Sequence, residues 1–195
     1  MENAGGSYMC MQVNDRLSHY YSSCKVQPYH PSPIAEKAGA MMDEAYTSLA
    51  PWINVNPEQI YFGPSTSQNT YVLSKAMMGW LKSGDEIIVT NQDHEANIGS
   101  WRRLTQLGIE VKEWSVDPKT GVLPIEKLIP LITQKTKLLM FPHCSNILGG
   151  INPVREICTL ARENGVKTVV DGVSFAGHGL PDIRALGCDV YLFYL

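Results

Sequence analysis

Four stretches of this 195-residue sequence place a ligand-holding side chain directly after an apolar run. Thr168-Val169-Val170 ends on Asp171 and Gly172, and no lysine or arginine follows before Arg184. A carboxylate at the tip of a buried strand carries a steep desolvation cost unless a cationic or proton-donating group meets it. Asp171 therefore marks a place that wants a positive partner. Ile87-Ile88-Val89 leads to Asp93-His94-Glu95, where His94 offers a flat ring able to stack on another ring. Taken alone it is an ordinary surface histidine, and no second histidine stands at helical spacing to complete a metal pair. Leu138-Leu139-Met140-Phe141 leads to Pro142-His143-Cys144-Ser145-Asn146-Ile147-Leu148-Gly149-Gly150. Asn146 supplies an amide that can donate to an oxygen, or a simple turn, and the glycines permit close backbone approach. Ile60-Tyr61-Phe62 leads to Gly63-Pro64-Ser65-Thr66-Ser67 at the mouth of a helix. Free N–H groups and small hydroxyls there can seat a phosphate, or Ser65 or Thr66 can be a plain helix cap.

The spacing of apolar residues says which elements must position these groups. Leu73, Ala76, Met77, Trp80 and Leu81 recur at helical spacing after Ser65-Thr66-Ser67, and Ile60-Tyr61-Phe62 and Ile87-Ile88-Val89 read as strands. Ile98, Trp101, Leu104 and Leu107 predict a helix closed by Gly108, ahead of a strand over 109–114. A strand over 138–141 follows. Asn152 and Pro153 read as the cap and first turn of a helix whose Val154, Ile157, Cys158 and Ala161 share one face, with Gly165 as its stop. A strand over 167–170, a short helix near 182–186 and a strand over 189–193 complete the series. Strands apolar throughout, separated by amphipathic helices, predict an α/β fold, a three-layer α/β/α sandwich around a mostly parallel sheet. Residues 1–55 read as an N-terminal arm and a packing helix carrying Ile34, Ala38, Met41, Ala45 and Leu49 on one side.

In open sheets of this kind ligands gather outside the carboxyl ends of the strands. Four strand ends then offer a phosphate seat, a flat ring, an amide donor and a carboxylate. Pyridoxal 5′-phosphate answers to all four: a phosphate, a stackable pyridine, a phenolic oxygen and a ring nitrogen. A carboxylate within about 4–6 Å of that nitrogen keeps it protonated. The protonated ring is then an electron sink for a carbanion on a bound amino acid.

Composition removes other classes. Hydrophobic residues make up 44% and charged residues 18%, within the ordinary globular range. The net charge is −3 with no lysine- or arginine-rich block, which argues against nucleic acid as partner. No apolar run approaches the roughly 18 residues of a membrane span, and the first residues do not pattern as a signal peptide, so the expectation is a cytoplasmic protein. Five cysteines without a C-x-x-C pair read as reduced thiols. Neither the dinucleotide glycine fingerprint nor a P-loop is present.

In order and spacing, Gly-Pro-Ser-Thr-Ser-Gln-Asn, Asp-His-Glu-Ala-Asn-Ile, His-Cys-Ser-Asn-Ile-Leu-Gly and Val-Val-Asp-Gly-Val-Ser-Phe-Ala-Gly-His resemble the class V aminotransferase family, fold type I pyridoxal-phosphate enzymes, in its cysteine desulfurase-like branch. The resemblance implies that Ser65 and Thr66 hold the phosphate, that His94 stacks on the ring and moves protons, and that Asn146 meets the phenolic oxygen. It places Asp171 at the ring nitrogen and Ser174 near the phenolic oxygen. Asn3, Ala4 and Gly5 match an arm near the substrate carboxylate. A homodimer acting on an amino acid is implied, by C–S cleavage, transamination or epimerisation. Residues 56–195 correspond to a partial cofactor-binding large domain. The family's cofactor-bearing lysine follows the last strand, whereas this sequence reads Phe193-Tyr194-Leu195. The expectation is therefore a chain without that lysine or the C-terminal small domain, turning over little substrate by itself. The alternative is a non-catalytic remnant that keeps the pocket.

Overall fold

The computed structural model describes residues 8–194, so Asn3, Ala4 and Gly5 lie outside the described residues. The chain divides into two compact units, Met1–Ile60 and Tyr61–Leu195. The first holds helices α1 (Met11–Ser23) and α2 (Pro33–Leu49), then two short 3₁₀ turns. Helix α1 was not expected: Val13, Leu17, Tyr20 and Tyr21 stand at helical spacing in its sequence, although it buries none of its residues. The buried face of α2 is Ala35, Ala38 and Gly39 rather than the wider stripe expected, and Ile34 and Ala45 are exposed. The ring of Tyr29 lies against Gly39, where a Cβ would come within 2.6 Å of it.

The second unit is a five-stranded, wholly parallel sheet. Its strands are β1 (Glu86–Thr90), β2 (Glu110–Trp114), β3 (Thr136–Pro142), β4 (Lys167–Asp171) and β5 (Val190–Leu192), in the order β2-β1-β3-β4-β5. Around it run α3 (Thr66–Met77), α4 (Glu95–Arg102), α5 (Ile125–Leu128), α6 (Val154–Glu163), α7 (Val173–Ala176) and α8 (Ile183–Leu186). Alternate residues of the central strands enter different cores, as the two-residue period of a strand requires. Ile88, Leu139, Phe141 and Val170 join Val154, Ile157, Cys158 and Ala161 of α6 on one face. Ile87, Val89, Leu138, Met140 and Val169 join Ile98 and Trp101 of α4, with Leu104, on the other. The three-layer α/β/α sandwich is thus the observed architecture. Gly108 and Gly165 take positive φ (76° and 72°), turning the chain after α4 and α6.

Two expectations fail. Ile60-Tyr61-Phe62 forms no strand, and Tyr61 and Phe62 are exposed. Asn152 does not cap α6. Its side chain donates instead to Gln92 Oε1 (2.7 Å) and to the carbonyl of Pro142 (2.8 Å), a tertiary use that outcompetes the local one. No helix of the described residues is long and apolar enough to cross a membrane.

Candidate active site at the carboxyl ends of the strands

Because every strand runs the same way, the segments that follow β1 and β3, with His94 and Asn146, leave the sheet at the same end as Asp171, the last residue of β4. Strands β1, β3 and β4 are neighbours, and the register pairs Pro142 with Asp171. The loops leaving these strands are tied together. Gln92, buried, donates to the carbonyl of Gly121 (2.8 Å) and accepts from Asn152, which also holds Pro142. Asn91 Oδ1 accepts from the N–H of Val116 at 2.9 Å.

Asp171 closes β4 and is buried. Its Oδ1 accepts from the N–H of Val173 (2.9 Å), and its carbonyl accepts from the N–H of His143 (2.7 Å). Burial pushes its carboxyl above the usual value, against the Val173 N–H and nearby His94, which pull it down. Among the described residues no other group donates to this carboxylate. The acid is buried, and no lysine or arginine pairs with it among the described residues.

His94 is the N-cap of α4, with extended backbone (φ −73°, ψ 144°), and its Nδ1 accepts from the N–H of Ala96 at 3.0 Å. Accepting there puts the ring proton on Nε2. The ring is exposed, its Nδ1 turned back onto the helix. Asp93, just before it, receives the N–H of His94 on Oδ1 (2.7 Å) and Asn97 Nδ2 on Oδ2 (2.6 Å). Burial, then the charge of Asp171, raises the Asp93 carboxyl to about 7 despite those two bonds. Asp93, His94 and Asp171 therefore act on one another.

No hydrogen bond or ion pair ties the other expected residues to His94 or Asp171 among the described residues. Ser65 is the N-cap of α3 and accepts from the N–H of Gln68 (3.2 Å), with Thr66 as the first helical residue, so the capping role is present. Asn146 lies exposed in the loop closed by Ser145 N–H to the carbonyl of Gly150 (2.9 Å), and no hydrogen bond joins it to His94 or Asp171 among the described residues. Ser174 is half-buried on α7, one turn past Asp171.

Behind Asp171 stands a group that no local motif signalled. His143 is buried, stacks on Phe175 of α7 (3.6 Å between ring centres, 16° between planes), and places Nδ1 2.8 Å from the hydroxyl of Tyr191. Burial pushes the His143 imidazole down to about 4, so it is neutral at ordinary pH. Asp93 could have been found from its spacing: an acid followed four residues later by Asn97 at a helix start puts both on one face.

The family model for aminotransferase class-V matches residues 1–194. The aminotransferase-like protein FGM3 of Gibberella zeae is 37% identical over 98% of this chain and 49% of its own length. A cysteine desulfurase of Yersinia pestis is 32% identical over 99% of this chain and 48% of its own. The apo structure of the cysteine desulfurase from Thermococcus onnurineus superposes with a TM-score of 0.90 at 26% identity, covering 98% of this chain and 48% of that one. The chain spans about half the length of these relatives.

Proposed function

The chain belongs to the class V aminotransferase family, and from that premise we propose that it forms the cofactor-binding part of a pyridoxal 5′-phosphate enzyme acting on an amino acid. The similarity to cysteine desulfurases makes a sulfur-bearing amino acid the first substrate to test, and pairing of two copies goes with the same reading. The observation that carries it is Asp171: a buried carboxylate at the carboxyl end of β4, held by the N–H of Val173, neighboured by His94 and in no ion pair with a lysine or arginine among the described residues. A protonated ring nitrogen fits that donor set, since it supplies the missing positive charge. Asp171 then keeps the proton on that nitrogen. The His94 ring stacks and, through Nε2, carries a proton at the substrate side. Ser65, Thr66 and the first N–H groups of α3 hold the phosphate. Asn146 donates to the phenolic oxygen, with Ser174 close by, and Asn3, Ala4 and Gly5 belong to the substrate arm. When bound, the cofactor supplies the electron sink that the amino acid's α-carbon needs.

Calorimetric titration of pyridoxal 5′-phosphate into the purified chain tests the proposal. Saturation at one cofactor per chain is expected, with an affinity about tenfold or more weaker in Asp171→Asn, the loss of one buried charge contact. Failure to saturate, or equal affinity in a folded Asp171→Asn variant, removes the reading.

A further inference from the structure

We infer that Asp93 is a positioning residue of this site: it fixes the junction that presents the His94 imidazole. The inference rests on the pyridoxal 5′-phosphate reading above. Its geometric basis is the double grip of one carboxylate. Oδ1 holds the N–H of His94 itself, and Oδ2 holds Asn97, which is fully buried and whose Oδ1 accepts from Trp101 Nε1 at 3.4 Å. Trp101 has no exposed surface, so the cap of α4 is anchored through Asp93 to the core between sheet and helix. The N–H of Ala96 fixes the ring's other end at Nδ1. Only a carboxylate accepts both bonds at position 93. An asparagine offers one acceptor and turns its own N–H₂ toward the other donor.

The second part concerns charge. Among the described residues Asp171, from the end of β4, is the charged group that acts on Asp93 from another element, while its own junction carries His94 and Glu95. After burial, the charge of Asp171 raises the Asp93 carboxyl, and a cation beside the two acids relieves that repulsion. Because the Asp93 carboxyl sits at about 7, its share of the attraction is off in acid and on above neutrality.

The experiment is the same cofactor titration, run from about pH 5.5 to about pH 8.5 on wild type and Asp93→Asn. A gap between the two that widens about tenfold toward the alkaline end is expected, one unit charge acting at short range in a partly dry site. No gap at any pH while wild type still saturates overturns the role of Asp93 and leaves the function standing; a gap of constant size supports the anchoring and removes the charge effect. Wild type that never saturates overturns both. If Asp93→Asn fails to fold, Asn97→Ala takes its place: it cuts the Oδ2 bond but keeps the charge. It should weaken binding across the whole range, and unchanged binding there overturns the anchoring.

Discussion

Tyr191 and His143 are bonded across 48 residues of sequence, hydroxyl to Nδ1 at 2.8 Å, directly behind Asp171, whose carbonyl receives the His143 N–H. The pair joins β5 to the loop after β3, and the Phe175 ring stacked on His143 brings in α7. Tyr191→Phe keeps the ring and deletes the bond, leaving a buried imidazole nitrogen without its partner. A loss of about 1–3 kcal/mol is expected, read as a lower urea midpoint at unchanged slope. An unchanged midpoint would mean that the bond contributes nothing net.

Gly172 faces the same ring. A Cβ at that position would overlap Tyr191, although the backbone there (φ −102°) suits any residue. Gly172→Ala is therefore expected to act through sterics alone, costing about 1–3 kcal/mol. Shrinking the partner with Tyr191→Ser should recover part of that loss, so the double variant is less unstable than the sum of the singles. Strict additivity in urea unfolding would rule out the clash as the cause.

The sheet was legible because Ile87-Ile88-Val89, Leu138-Leu139-Met140-Phe141 and Thr168-Val169-Val170 are apolar on both faces, which only a covered parallel strand tolerates. Asp171 stands out because a carboxylate just past a buried strand is costly without a partner, whereas His94 alone reads as a surface histidine; the charge of His94 reaches the Asp171 carboxyl. What the sequence hid is tertiary. Asn152 has the type and place of a helix cap, yet Gln92, 60 residues away, takes its amide. Ile60-Tyr61-Phe62 has strand composition, but a strand exists only where a neighbour accepts its hydrogen bonds. His143 and Tyr191 carry no shared spacing at all.

Thr90 tests the polar balance of the same edge. It is wholly buried at the end of β1, and its Oγ1 is the buried side-chain atom without a hydrogen-bond partner among the described residues. Leaving a buried hydroxyl unpaired costs about 1–3 kcal/mol. Thr90→Val keeps the branched shape and removes the orphan, so it should stabilise by about 1 kcal/mol and raise Tm by roughly 2–4 °C. A fall in Tm would show that the hydroxyl is satisfied.

Asp93 and His143 give the stability of the cofactor-free chain opposing pH responses. The Asp93 carboxyl binds its proton more firmly folded (about 7) than unfolded (near 4), so its contribution is present in acid and is lost as pH rises from about 4 to about 7. His143, lowered to about 4 from near 6.5, works the other way: its contribution is present above about 6.5 and is lost as pH falls to about 4. Over much of one window the two slopes cancel, so the wild-type curve alone hides both. The difference between variants does not. Asp93→Asn should gain on wild type by on the order of 1 kcal/mol for each pH unit between about 4 and 7, because only wild type must give up the proton. Urea unfolding of the two proteins at matched pH reads that difference, and parallel curves would mean that the Asp93 carboxyl titrates like an exposed one. The same substitution is expected to weaken cofactor binding above neutrality, so the variant that gains stability relative to wild type as pH rises should be the poorer binder there.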